Sequence, residues 1–306
     1  MIPETIVSVG KQTAILEAGR PTRKTKAAMS AIIRLALLSL LLAPCVCQAS
    51  PVTYPHQPGA WSPVAPPTLG SDDLQRANRS LCQWRVSMQG GKPIVTLEPM
   101  EQTSRSKNRS VSAFKIGKES GYFGKQITRR VDDGWLVGFN AGEFGASLWW
   151  FSPDAARRYK VSDDQVNEFV NMPAGLVAVQ GLAHLTLSYG SVVRLTKTAQ
   201  GRWRSTVLAT LGDEPCAAAL DTDGTLVVIG ASKLMRVWPT GKVEVLWSKS
   251  AAKELYPASI VRVASGKFYV GMRAYVVRFT ISGRGTKVQW LLPSQMFLRT
   301  GPMDSL

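Results

Sequence analysis

The ten residues GLAHLTLSYG, at 181–190, carry His184; the other histidine of the chain, His56, lies in a proline-rich stretch near the start. Histidine is the side chain whose charge changes closest to neutral pH, so His184 is the first candidate for chemistry. As a general base it needs an orienting carboxylate, for which Glu143 and Asp213 are the candidates, and a nucleophile. Ser188, Ser191 and Tyr189 are near in sequence, but none sits in a Gly-x-Ser-x-Gly elbow. Two histidines exclude a multi-histidine metal centre in the folded body. Carboxylates recur beside turn residues: Glu143 in NAGEFGA, Asp163 and Asp164 in SDDQ, Asp213 and Glu214 in GDEP. Such oxygens can hold one divalent cation such as calcium, grip a basic peptide, or simply cap and solvate their turns. No ligand spacing repeats, so neither a cofactor nor a metal is expected; a single calcium-like ion is the alternative. The expected set is therefore a binding set without a catalytic one: Glu143, Asp163, Asp164, His184, Tyr189, Asp213, Glu214 and Arg273.

These residues fall in a regular frame. Four glycine-marked turns each open a similar apolar strand: GWLVGF at 134, GLVAVQ at 175, GTLVVI at 224 and GKFYVG at 266, spaced by 41, 49 and 42 residues. Second strands follow as SLWWFS, SVVRLTK, LMRVWP and YVVRFT, and third strands as RRYKVS, RWRSTVLAT, KVEVLWS and KVQWLLP. One more precedes each unit: KQITRRV, VNEFVNM, CAAALDT and SIVRVAS. Four strands per unit at this period is the blade pattern of a β-propeller. With turns such as DTDG at 221–224, the chain across residues 82–300 resembles β-propeller proteins of the WD-repeat, NHL and YWTD-like kind. It has no regular Trp-Asp ending and no YWTD tetrad, so the resemblance is to an architecture and brings no catalytic residue with it.

The fold class expected is thus all-β, a propeller of four-stranded blades over residues 81–306. WRVSMQ, PIVTLEP and VSAFKI supply most of a further unit, giving five blades, or six if the termini complete one jointly. In this frame the tight first turns (VDDG, DTDG, ASG) read as structural. The candidate residues share the opposite rim, where ligand sites gather on converging loops. GLAHLTLSYG becomes an insertion there, pinned by Leu182, Leu185 and Leu187 in a short helical turn.

Compartment is read from the N-terminus. A basic segment, RPTRKTK, precedes the apolar run AIIRLALLSLLLA and a small-residue site, CQAS, the order of a secretory signal over residues 1–49. Met29 is an alternative start, and Cys45 in LAPC a rival lipid-anchor site, with an uncleaved anchor third. The run is short for a membrane span, so membrane contact is expected only through such an anchor. Residues 50–80, rich in proline, read as a linker or extended arm. The expected location is periplasmic or extracellular.

The net charge of +16, or +12 after removal of residues 1–49, favours an anionic envelope polymer or a protein as partner. No helix-turn-helix, zinc finger or aromatic-basic signature points to nucleic acid. Cys82 and Cys216, the cysteines beyond the leader, are either one disulfide or two free thiols. The function this favours is an exported, non-catalytic binding or scaffold module; the alternative is a propeller hydrolase or lactonase with one metal at the channel.

Overall fold

Each of the four repeat units folds as an antiparallel meander, because short β-branched and aromatic runs alternate with turns that glycine closes. The computed structural model describes residues 54–100, 124–185, 187–294 and 297–300. The first unit is β4 (Lys125–Val131), β5 (Gly134–Asn140), β6 (Ala146–Phe151) and β7 (Arg158–Ser162). The second is β8 (Val166–Met172), β9 (Gly175–His184), β10 (Leu187–Lys197) and β11 (Trp203–Thr210). The third is β12 (Pro215–Leu220), β13 (Leu226–Gly230), β14 (Lys233–Val237) and β15 (Val243–Ser248). The fourth is β16 (Ser259–Ala264), β17 (Lys267–Gly271), β18 (Val276–Ser282) and β19 (Gly285–Leu292). Within each sheet the strands pair in chain order.

Before these come β1 (Ser62–Val64), helix α1 (Asp72–Arg79), β2 (Cys82–Gln89) and β3 (Lys92–Pro99); a short helix α2 (Phe297–Thr300) follows them. The strands β2 and β3 form a two-stranded sheet of their own. The expected third strand of that unit, VSAFKI at 111–116, lies outside the described residues, as do the leader, Cys45 and Met29. Among the described residues no helix is long and apolar enough to cross a membrane.

The sheets stack face to face along their first strands: β4 contacts β8, β8 contacts β12, β12 contacts β16, and β16 contacts β2. The third sheet shows why. All of β13 is buried, and its period of two divides it between cores. Val227 and Ile229 join Leu234, Phe268 and Phe279 on one side. Leu226 and Val228 join Met235, Val179 and Val192 on the other. A sheet apolar on both faces must be covered on both, which is the propeller-like arrangement.

Two expectations need correction. Residues from Tyr54 onward are not a tether. The strand β1 pairs antiparallel with β19, and Trp61, Leu74 and Ala77 are buried. Helix α1 starts where Ser71 Oγ accepts from Leu74 N–H, with Asp72 and Asp73 in its first turn and Arg76 and Arg79 in its last. A few apolar anchors outweigh the proline content. Strand β1 joins the β16–β19 sheet as its fifth strand and is not part of a sixth blade.

The first turns are structural, as expected. Asp221, buried, accepts from Gly266 N–H in the next sheet at 3.1 Å. Asp133 accepts from the Trp150 indole of its own sheet and the Trp203 indole of the next, each at 3.1 Å.

Candidate binding site

At the end of the molecule opposite those turns, five sheets contribute to one cavity of about 690 Å³. Its lining includes Arg85 of β2, Lys125 of β4, Asn167 of β8 and Cys216 of β12, with Ala258 just before β16. These are first strands or their entries, so the cavity lies where the stacked sheets converge.

GLAHLTLSYG is an extension of its unit, as expected, but it contains no helical turn. It is the tip of the β9–β10 hairpin, with His184 paired to Leu187, Ser188 to Ala183 and Gly190 to Gly181. Leu185 takes the left-handed conformation, φ 52°, that so short a connection demands. Nor do Leu185 and Leu187 pin it down, at 82% and 66% exposed; of the three leucines only Leu182 is half-buried. The hairpin is held lower, by glycines. A Cβ on Gly190 would stand 2.4 Å from Asp213 O and 2.5 Å from Pro215 Cδ; one on Gly181 would meet Tyr189 O at 2.3 Å. Gly190→Ala is expected to cost about 1–3 kcal/mol, the overpacking range, read as a lower urea midpoint at unchanged slope.

Of the eight candidate residues, His184 and Glu214 line this cavity and four others a second concavity. His184 Nδ1 lies 2.7 Å from Glu143 Oε2, although 41 positions separate them, because both sit at second-to-third strand connections of adjacent sheets. Glu143 is carried on a 3-10 turn, Gly142–Phe144. Asp163, Asp164 and Tyr189 line a second concavity of about 540 Å³ beside Glu143. Within it Asp164 accepts from Ser162 Oγ at 2.6 Å and Asp163 pairs with Lys160. The Tyr189 hydroxyl donates to Gln165 Oε1 at 3.3 Å.

Asp213 and Arg273 are scaffold. Asp213 is buried, accepting from Ser188 Oγ at 3.0 Å and from Ser232 N–H at 2.9 Å, which clamps the hairpin to the β13–β14 turn. Arg273 stacks 4.0 Å over the Tyr256 ring and donates to the Asn78 side chain at 2.6 Å, fixing the end of α1. Glu214, the neighbour of Asp213, instead lines the main cavity. Burial pushes its carboxyl up, and the adjacent Asp213 charge adds to the rise.

Cys82 and Cys216 are free thiols, the second of the two readings. They sit on β2 and β12, which flank β16 from opposite sides. Burial drives the Cys216 thiol well up, which disfavours the nucleophilic thiolate.

Sequence reasoning missed an amide network and a half-buried carboxylate. Asn140 donates to Asn167 at 2.7 Å, Gln165 donates to Asn140 Oδ1 at 3.0 Å, and Asn167 donates to Pro215 O at 2.8 Å, which ties three sheets at this end. Glu168 accepts from Ala218 N–H at 2.9 Å. Burial raises its carboxyl, opposed by that hydrogen bond and by the charges of Arg85 and Lys125. Polar Asn167 and Glu168 inside the apolar run VNEFVNM were the available signal. Among the described residues no three of His, Cys, Asp and Glu are grouped to hold a metal ion.

No protein-family model and no curated protein matches this chain. Among solved structures it is similar to virginiamycin B lyase from Staphylococcus aureus, at 11% identity and TM-score 0.37, covering 69% of this chain and 70% of that one. A streptogramin B lyase is similar at 14% identity and TM-score 0.31, covering 70% and 84%. The protein YCF48, solved bound to D1 peptide, is similar at 13% identity and TM-score 0.35, covering 67% and 65%. At such scores the fold rests on this chain's own strand order: an all-β chain of stacked antiparallel sheets, propeller-like.

Proposed function

We propose that the chain is a five-bladed propeller closed around the cavity, and that it captures a segment of a partner protein at the cavity mouth without catalysing a reaction on it. The observation that carries this reading is the company the cavity keeps. Leu185, Leu187, Phe144 (75% exposed), Tyr189 and Tyr256 stand exposed on the connections of the end where it opens. Large exposed apolar side chains grouped at one end of a molecule mark interaction surfaces, and aromatic anchors around a pocket are the usual seat of binding energy. Carboxylates of Glu143, Glu214 and Glu254 stand among the bases Arg85, Lys125 and Lys253 at this end. That mixture suits a peptide better than a polyanion.

The rival reading, a hydrolase with one metal at the channel, draws on the Glu143–His184 contact, an oriented base. Ser188, one nucleophile candidate, gives its hydroxyl proton to Asp213 rather than to that histidine. An exported location remains part of the proposal, supported by the basic, apolar and small-residue order of residues 20–49.

Peptide libraries selected on the purified protein are expected to enrich segments with an apolar anchor. Leu185→Asp with Leu187→Asp should weaken the selected peptides at least tenfold while leaving the melting temperature unchanged. Selection that enriches nothing, or peptides indifferent to the double substitution, would refute the reading.

A further inference from the structure

The end that carries the tight first turns has a concavity of a different kind. Between the β4–β7 and β8–β11 sheets lies a pocket of about 470 Å³, lined by Arg157, Arg158, Arg202, Tyr159, Trp150 and Asp133. Arg157 and Arg202 close the third-to-fourth strand connections of adjacent sheets. Both turns are tied by their own hydrogen bonds, Arg157 N–H to Ser152 Oγ at 2.9 Å and Thr198 N–H to Arg202 O at 2.8 Å. The same position holds Lys242 in the third sheet and Arg284 in the fourth. A base therefore closes this connection in all four meanders, which sets a positive field at this end.

We propose that this pocket binds the phosphate group of an anionic ligand, held by the Arg157 and Arg202 guanidiniums. Among the described residues neither guanidinium makes a close ion pair, although Asp154, in the same turn as Arg157, feels its charge. Arg202 lies 4.3 Å over the Tyr159 ring, which fixes the plane of its donor fork. Guanidinium forks suit tetrahedral oxyanions because they can offer two parallel N–H donors. The Tyr159 oxygen accepts from Trp203 N–H at 2.7 Å, which leaves its own proton to donate, and burial pushes the phenol up so that it keeps that proton.

The pocket is not built for a ring. Tyr159 has Arg202 on its ring and Trp150 stacked at 5.1 Å, so both contacts that a nucleobase or sugar would use are taken. Recognition is left to charge and hydrogen bonds, hence to a phosphate group rather than to a base or a sugar. The opposing charge, Asp133, is covered by two indole N–H groups and by Lys197 Nζ at 3.0 Å.

The phosphate can belong to a soluble oligomer or to a lipid headgroup, and two arms separate these. Tripolyphosphate is titrated calorimetrically into the full chain at low and moderate salt, and phosphatidylglycerol vesicles are compared with phosphatidylcholine vesicles by co-sedimentation. Binding in either arm is expected to weaken at least tenfold in Arg157→Ala/Arg202→Ala and to fall with salt. Arg202→Lys should recover only part of it, because an ammonium lacks the fork. Lys92 and Lys233, which belong to sheets that do not line the pocket, supply the control. Binding lost equally in Lys92→Ala/Lys233→Ala would reduce the effect to net charge and overturn the site. So would the absence of binding in both arms. Vesicle binding alone assigns the phosphate to a headgroup, and tripolyphosphate binding alone to a soluble oligomer.

Discussion

Trp84→Ala lowers the melting temperature by roughly 10 °C, the largest effect expected of any single substitution considered. Trp84 is 2% exposed. Its indole N–H donates to Ala274 O at 2.9 Å, and its backbone N–H to Met272 O at 3.0 Å, so β2 is bound to the β17–β18 turn of the neighbouring sheet. Its ring meets Tyr54 at 5.9 Å, Trp61 at 4.8 Å and Phe297 at 5.5 Å. The N-terminal segment, the two-stranded sheet and the C-terminal helix thus share one aromatic cluster. Truncating a buried tryptophan costs about 3–5 kcal/mol, and each kcal/mol moves Tm by about 2–4 °C in a body of this size. Trp84→Phe keeps most of the packing and loses the hydrogen bond, for about 1–2 kcal/mol. Differential scanning calorimetry ranks the three proteins. Limited proteolysis should cut the alanine variant first between residues 54 and 64, where β1 loses its support. An alanine variant melting within 2 °C of the parent would show that the termini do not depend on this cluster.

That cluster was only half legible in the sequence. Trp84 opens WRVSMQ, a strand the repeat identified, whereas Tyr54 and Trp61 are scattered among prolines and looked like part of a tether. Composition describes what a segment does alone; β19 offers an edge that three residues of it can pair with. The four meanders were legible throughout, because glycine turns and β-branched runs are local signals and the repeat states them four times. The candidate site divides along the same line. Glu143 and His184 could be placed at one rim because equivalent connections of adjacent sheets lie side by side. Asp213 and Glu214 could not be told apart, since neighbouring residues at a turn point in different directions: one clamps the hairpin and the other lines the cavity. Hydrophobicity alone makes Leu185 and Leu187 anchors. Alternation within LSYG already places Leu187 and Tyr189 on one face, and the structure leaves that face exposed.

Asp133→Ala is expected to destabilise the fold by about 2 kcal/mol and to flatten its response to acid. One carboxylate oxygen accepts from the indoles of Trp150 and Trp203, and the other faces Lys197 Nζ at 3.0 Å. Trp203 and Lys197 belong to the next sheet, so a single turn residue joins two meanders at the end away from the cavity. Hydrogen bonds to a charged group contribute about 1.5–3 kcal/mol where they are shielded, and the ammonium contact, partly exposed, contributes less. Burial alone would raise this carboxyl. The bonds from Trp203, Lys197 and Trp150 outweigh it and hold the group below its ordinary 3.8. A carboxyl whose pKa falls on folding stabilises fully above its unfolded value and loses that contribution as pH drops through the folded value. The parent protein should therefore lose stability below about pH 4 more steeply than Asp133→Asn, which keeps the shape and removes the titration. Urea unfolding at pH 3 and pH 6 measures both slopes. Equal acid sensitivity in parent and Asp133→Asn would mean that other carboxyls govern the acid limb and that the two sheets are held by their apolar cores alone.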